Sequence, residues 1–378
     1  MARPDILGRA ISFTPTCLTV RLGTSILSPH RVHGGHVPTI YIAGTSSGTG
    51  TTAVATGIAA LLAKSDAGVT LAKAVRVGSS AETDADPTFY QTLLPHNEPP
   101  SDWPITLDDI SDASALDGVA ARLKAANLSA GLTIVEGVGG DMPDGDRHRI
   151  DATLAKALDA RVILVGTYTS AEPSQLAKAV GDQLMGVIIN RVPDHSRHDA
   201  ETTLTSSYQE QGISVLGLLP ESRRMLAPTV GEVAEHLGAD LINRTTLTSP
   251  ETQLGQLVEY FMLGGLFLDQ GGYVFGRREN KAVIVRGDRP DLQMAALDTS
   301  TVCLILTGGK TPVQYIAHHA QLRQTPMLAT PSSTLDTMEL LHSIGDKASV
   351  HSPHKAQCFA DLLEAHCDLG SLTAQAAT

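Results

Sequence analysis

Residues 44–52 read Gly44-Thr45-Ser46-Ser47-Gly48-Thr49-Gly50-Thr51-Thr52, a glycine- and hydroxyl-rich turn between an apolar run, Ile40 to Ala43, and an alanine-rich stretch, Ala53 to Lys64. Strand, turn, helix start is the order in which backbone N–H groups and the helix dipole converge on an anion. The full phosphate-loop pattern G-x-x-x-x-G-K-[ST] adds a lysine for the β- and γ-phosphates and a hydroxyl for Mg2+. Gly50 and Thr52 fit it, whereas Thr45 stands where the first glycine belongs and Thr51 where the lysine belongs. An ammonium about 4 Å from a phosphate contributes up to ~4 kcal/mol at an effective dielectric of 20. Its loss removes roughly two to three orders of magnitude in affinity or rate. The loop therefore reads as a ligand site built from Gly44, Gly48, Thr49, Gly50, Thr51 and Thr52 that is poorly equipped for phosphoryl transfer. The competing reading is a glycine turn that binds nothing.

A chain of 378 residues is too long for one ordinary core and points to two or three domains. A net charge of −12 argues against a nucleic-acid or anionic-membrane partner, since affinity there rests on basic patches. Cys17, Cys303, Cys358 and Cys367 form no C-x-x-C pair, so a reducing cytoplasm is the simplest compartment. No apolar run approaches the ~20 residues that cross a bilayer. Residues 1–36 are irregular: His30, His33 and His36 lack an acidic or cysteine companion for metal, and Ile11 to Leu22, broken by Pro15 and Arg21, lacks the clean apolar stretch of a targeting peptide. We read this extension as an artefact and expect synthesis to begin at Val37.

From Pro38 onward β-rich runs alternate with alanine-rich amphipathic stretches. Strands are expected at Thr39–Ala43, Gly68–Ala74, Leu132–Val135, Arg161–Gly166, Gly186–Asn190 and Ser214–Leu219, and helices at Ala53–Lys64, Ala113–Ala125, Asp151–Leu158 and Ala171–Val180. That alternation predicts a phosphate-loop-type parallel α/β sheet with helices on both faces over residues 37–242. A second, smaller α/β domain is expected over residues 250–365, with Glu251 to Leu263 helical and strands at Ala282–Arg286, Val302–Leu306 and Met327–Ala329. Residues 366–378 form a tail.

In open parallel sheets ligands sit beyond the carboxyl ends of the strands, and several charged or polar residues fall there. Glu136 precedes Gly137-Val138-Gly139-Gly140, where a carboxylate holds Mg2+ or orients water; the alternative is a solvated edge glutamate. Lys73 ends the second strand, either replacing the missing loop cation or forming a structural salt bridge. Asp84 and Asp86 lie on one side of an extended stretch and either bind metal or cap the next helix. Asn190 reads the edge of a base with its amide or forms a local turn. In the second domain Asp288 and Arg289 follow one strand, and Thr307, Gly308, Gly309 and Lys310 follow the next, all facing one crevice. Asp288 and Arg289 there form a buried pair, or Arg289 takes an anionic effector bidentately. His351, His354, Cys358, His366 and Cys367 have irregular spacing on an ordinary C-terminal helix near the surface.

Taken in order, Gly44–Thr52, Lys73, Val135-Glu136-Gly137-Val138-Gly139-Gly140, Gly186-Val187-Ile188-Ile189-Asn190 and Leu219-Pro220-Glu221 resemble the dethiobiotin-synthetase-like domain at the N-terminus of long phosphotransacetylases. Gly287-Asp288-Arg289-Pro290-Asp291 with Thr307-Gly308-Gly309 is similar to the DRTGG domain that follows it there. The resemblance covers about Pro38 to Leu363. It implies regulation more than chemistry, because the acetyltransferase domain of those enzymes has no counterpart here. True dethiobiotin synthetases carry the loop lysine and an acidic residue where Ser46 stands, so the resemblance does not imply ligase activity. It implies a sensor of ATP, another nucleotide or a phosphorylated metabolite with Mg2+, held by the loop, Lys73 and Asn190, with metal at Thr52 and Glu136 and an effector at Asp288, Arg289, Thr307, Gly308 and Gly309. A separately encoded phosphotransacetylase catalytic subunit and a second copy of the chain are the expected partners. The rivals are an ATP-dependent ligase in which Lys73 supplies the charge, and a structural dimerisation module with a vestigial loop.

Overall fold

The computed structural model describes residues 38–64, 68–77, 85–107, 112–125, 131–140, 142–169, 174–265 and 272–368. The expectations for residues 1–36, for Asp84 and for most of the tail lie outside these residues.

Eight strands come first: β1 (Thr39–Gly44), β2 (Val69–Lys73), β3 (Val75–Val77), β4 (Ile105–Leu107), β5 (Leu132–Glu136), β6 (Arg161–Thr167), β7 (Leu184–Val192) and β8 (Val215–Pro220). Six of them form a parallel sheet in the order β2-β5-β1-β6-β7-β8, and β3 pairs separately with β4. The period-2 alternation of β1 decides its faces. Tyr41 and Ala43 pack with Ile150 and Leu154 on one side, while Ile40 and Ile42 pack with Val54, Ile58, Phe359 and Leu363 on the other. The sheet is thus covered twice, as its near-continuous apolar strands require.

The helix Thr51–Ala63 is buried at every residue from Ala53 to Ala59. The sheet covers one side of it and the C-terminal helix Pro353–His366 covers the other. Gly57 permits this approach, since a Cβ there would lie 2.8 Å from Phe359 Cδ1. Burying Phe359 and Leu363 stabilises the contact by about 1.5–3 kcal/mol each. The C-terminal helix was expected to lie near the surface within the second domain; its apolar face instead completes the first.

The second sheet contains β9 (Asp240–Leu241), β10 (Tyr260–Leu263), β11 (Lys281–Arg286), β12 (Thr301–Thr307) and β13 (Met327–Ala329) in the order β10-β11-β12-β13-β9. All pairs are parallel except β13 with β9. The helix Val230–Leu237, expected to belong with the first domain, buries Val230, Val233 and Leu237 against this sheet. Helix was also expected throughout Glu251–Leu263, and the structure differs there. The helix Pro250–Leu254 stops at Gly255, and the β-favouring run Tyr260–Leu263 pairs with β11 as an edge strand.

Candidate functional site

The turn after β1 is a bowl of backbone amides. Gly48 (φ +69°) and Gly50 (φ +97°) take left-handed conformations that a Cβ disfavours. Among the described residues, no carbonyl or carboxylate accepts the N–H groups of residues 46 to 51. The rim of the turn is fixed elsewhere: Thr45 N–H donates to Val165 O at 2.9 Å and His148 Nε2–H donates to Thr45 O at 2.9 Å. These free amides open on a cleft of about 460 Å3 that Lys73, Asp86, Glu136, Arg147, Asn190 and Arg191 also line. The structure therefore brings together the loop, Lys73, Glu136 and Asn190.

Glu136 ends β5 directly beside β1, 3% exposed. Thr52 Oγ1 donates to its Oε1 at 2.5 Å, Thr51 Oγ1 to the same oxygen at 3.2 Å, and Tyr90 OH to Oε2. Burial raises its pKa above the ordinary value, helped by the nearby Asp86 charge and opposed by Lys73, Thr52 and Tyr90. The adjacent Thr52 and Glu136 oxygens are the hard donors that Mg2+ accepts alongside phosphate oxygens and waters. They fit the metal position.

Lys73 is not free to play the loop cation. Its Nζ lies 2.5 Å from Asp86 Oδ2, in a pair whose side chains are 9% and 10% exposed. Asp86, expected on an extended stretch, sits instead in the first turn of the helix Ala85–Leu93. Burial pushes its carboxyl up, but the His351 hydrogen bond and the Lys73 ammonium prevail and bring it down to about 2. His351 Nε2–H donates to Asp86 Oδ1 at 2.6 Å, and Ser349 Oγ lies 2.9 Å from His351 Nδ1. Ser349 N–H donates to Glu232 Oε1 at 2.8 Å and Lys355 Nζ donates to Ser349 O at 2.5 Å. Glu232 caps the second-domain helix Val230–Leu237 through Thr229 N–H, at 2.7 Å. One chain of polar contacts thus runs from the cleft to the second domain, and its central residues, Ser349 and His351, carry no motif.

Asn190 engages backbone with both ends of its amide. Nδ2 donates to Thr49 O at 3.0 Å and Oδ1 accepts from Arg191 N–H at 2.9 Å. It braces the loop. A second brace comes from the helix Asp144–Ala157, which begins two turns before the expected Asp151. Arg147, 3% exposed, donates to Val138 O at 2.6 Å and Gly140 O at 2.7 Å. Asp151 Oδ1 accepts from Val138 N–H at 3.0 Å and Tyr41 OH at 2.8 Å, while its Oδ2 has no partner among the described residues. Burial raises Asp151 to about 7 against the pull of those donors and of Arg147. No sequence signal marks Asp151 or Arg147 beyond charge at helix positions that face inward.

The turn after β12 has a different interior. Gly308 N–H donates to Ser332 O at 2.9 Å and Gly309 N–H to Thr330 O at 3.1 Å, and Thr307 Oγ1 meets Thr334 Oγ1 at 2.7 Å. The expected buried Asp288–Arg289 pair does not form. Arg286 forks onto Asp288 at 3.0 and 2.7 Å and Arg289 onto Asp291 at 2.9 and 2.7 Å, all on the surface. The two-residue spacing lets each fork close locally.

Residues 38–229, just over half of the chain, match the AAA-domain family. The chain belongs to it. Residues 232–344 match the DRTGG domain, so the AAA domain is followed by a DRTGG domain at the junction where the second sheet begins. The phosphate acetyltransferase of Pseudomonas putida is 23% identical over 359 residues, covering 87% of this chain and 50% of that protein. The chain spans about half the length of the phosphate acetyltransferases it matches. The ATP-dependent dethiobiotin synthetase of Bacillus licheniformis is 28% identical over 209 residues, covering 48% of this chain and 85% of that protein. The CBS and DRTGG domains of the regulatory region of Clostridium perfringens pyrophosphatase, solved with the activator diadenosine tetraphosphate, superpose with a TM-score of 0.27 at 15% identity, covering 39% of this chain and 70% of that one. No helix among the described residues is long and apolar enough to cross a membrane.

Proposed function

We propose that this AAA–DRTGG protein is a regulatory or sensing protein that binds a nucleotide or related phosphorylated metabolite with Mg2+ and does not turn it over efficiently. The observation that carries the reading is the amide bowl of residues 46 to 51, open to the cleft while the lysine position holds Thr51, whose hydroxyl is tied to Glu136. Such a bowl binds an anion through fixed dipoles at little reorganisation cost. Thr52 and Glu136 would hold Mg2+, which would screen the phosphate charge. The ligase reading needs a free ammonium at Lys73, and the short Asp86 contact weighs against it.

Regulation follows from the polar chain that joins Asp86 through His351 and Ser349 to Glu232. A ligand that shifts Lys73 and Asp86 alters the anchoring of the segment between the two domains. The partner we assign is a separately encoded phosphotransacetylase catalytic subunit in the cytoplasm, met by a homo-oligomer of this chain. Isothermal calorimetry with ATP, ADP and NADH in the presence of Mg2+ tests the binding claim: we expect saturable heat with at least one of them. No heat with any would overturn it, and brisk triphosphate cleavage would overturn the non-catalytic part. Sedimentation with and without a phosphotransacetylase catalytic subunit tests the partner.

A further inference from the structure

Among the described residues three cationic side chains line the cleft, and two of them are already engaged. Lys73 is held by Asp86, and Arg147 has both terminal nitrogens on the carbonyls of Val138 and Gly140, leaving only its buried Nε without a partner. The third is Arg191. Its side chain is exposed and lines the same cleft, and among the described residues no carboxylate, carbonyl or ring takes its guanidinium.

The placement of Arg191 is unusual. It is a non-glycine residue at φ +55°, a left-handed conformation disfavoured by the clash of Cβ with the following carbonyl. The Asn190 side chain enforces it by accepting the Arg191 N–H on Oδ1 while donating from Nδ2 to Thr49 O. Gly50 completes the arrangement, since a Cβ there would lie 2.6 Å from Asn190 Nδ2. One amide therefore fixes the loop backbone and the Arg191 backbone together. Strain that the surroundings enforce beside a binding loop marks a position where function outweighs comfort.

We propose that Arg191 is the cation of this anion site, supplied from the end of β7 in place of a loop lysine, and that it selects ligands carrying a diphosphate or triphosphate over monophosphates. The amide bowl holds one phosphate group. A planar guanidinium at the rim pairs bidentately with the oxygens of the next one, which a monophosphate lacks. This inference rests on the reading of residues 46 to 51 as an anion site.

The test uses the full chain and simple probes: calorimetric titration with tripolyphosphate, pyrophosphate and orthophosphate, each with Mg2+. The wild-type protein should bind tripolyphosphate and pyrophosphate more tightly than orthophosphate. Arg191→Gly accepts φ +55° without strain, so its melting temperature should be unchanged or higher. Its affinity for tripolyphosphate should fall by roughly ten- to a hundredfold, as for loss of a charged hydrogen-bonding pair. Affinity for orthophosphate should change little, and Arg191→Lys should fall between the two. If Arg191→Gly binds tripolyphosphate as the wild type does, the assignment of Arg191 is wrong and the bowl stands. If the wild type binds none of the three probes, the anion-site reading fails and takes this inference with it.

Discussion

Two glycine turns, after β1 and after β12, end central strands of the two large sheets, and they use their glycines in opposite ways. After β1, the N–H groups of residues 46 to 51 find no protein acceptor among the described residues, and the surrounding carboxylates Glu136, Asp86 and Asp151 are buried. After β12, the amides of Gly308 and Gly309 close onto Ser332 O and Thr330 O, and Asp288 and Asp291 lie on the surface with an arginine two residues away. The N–H groups of the first turn line an open cleft, where water or a ligand takes them, whereas those of Gly308 and Gly309 are already taken by the protein. Glycine and charge at a strand end thus do not by themselves define an anion site.

The largest expected effect comes from adding one methyl group to each turn. Gly50→Ala sets a Cβ 2.6 Å from Asn190 Nδ2 at φ +97°, so the loop must move away from its brace. Binding of Mg-ATP, read by calorimetry, should fall by at least about a thousandfold, roughly 4 kcal/mol. Gly308→Ala meets nothing within 4 Å and bears only the strain of φ +81°. It should cost about 1–2 kcal/mol of stability in urea and leave Mg-ATP binding intact. Equal losses of binding in both variants would erase the distinction between the turns.

Both turns were legible in the residues, the contrast between them was not, and the limits of that reading are physical. The order of strands and the position of the loop follow from apolar runs of five or six residues flanked by glycine, and Glu136 and Lys73 are visible because a charge at the end of a buried strand demands a reason. The bound state of Lys73 was not legible, because Asp86 reaches it across 13 residues, His351 reaches Asp86 across 265, and no local pattern records such meetings. The helix expected over Glu251–Leu263 failed for a related reason. Its apolar residues fit a helix face as well as an edge strand, and only β11 decides between them. The free and closed amides look identical in sequence.

The buried carboxyls offer a second, smaller distinction, read through pH. Asp151 ordinarily titrates near 3.8 and is raised to about 7 by burial. A carboxyl raised in the folded state binds its proton more tightly there than in the unfolded chain. It contributes fully below about pH 4 and loses that contribution as pH rises through 7. Melting temperature should therefore decline over that window, by the equivalent of a few kcal/mol at most. Asp151→Asn mimics the protonated form and keeps an oxygen for Val138 N–H, so it should remove the decline and match or exceed the wild type at pH 8. The same slope in the variant would show that Asp151 is not the titrating group.

His351→Ala comes next. It removes the donor that helps hold Asp86 near 2, and with it the link from the cleft to Ser349. Loss of a hydrogen bond to a buried charge should cost about 1.5–3 kcal/mol in chemical denaturation. Because the folded pKa of Asp86 is depressed, its contribution is present above about pH 4 and lost as pH falls through 2, so the variant should unfold at a higher pH on acid titration. An acid transition indistinguishable from wild type would detach His351 from Asp86.

The smallest effect is expected where the second turn shows the most charge. Arg289→Ala breaks a bidentate contact with Asp291, with bonds of 2.9 and 2.7 Å. Both partners face solvent, however, and the Asp291 carboxyl is held below its usual range mainly by its hydrogen bonding with Arg289. Water replaces the lost partner at once, and ordering two long side chains already offset most of the attraction. Thermal unfolding of Arg289→Ala at moderate salt should coincide with wild type, and Mg-ATP titration should give the same affinity. A clear loss of either would mean that the surface pair is part of a site after all, and that closed amides do not disqualify a glycine turn from holding a ligand through its side chains.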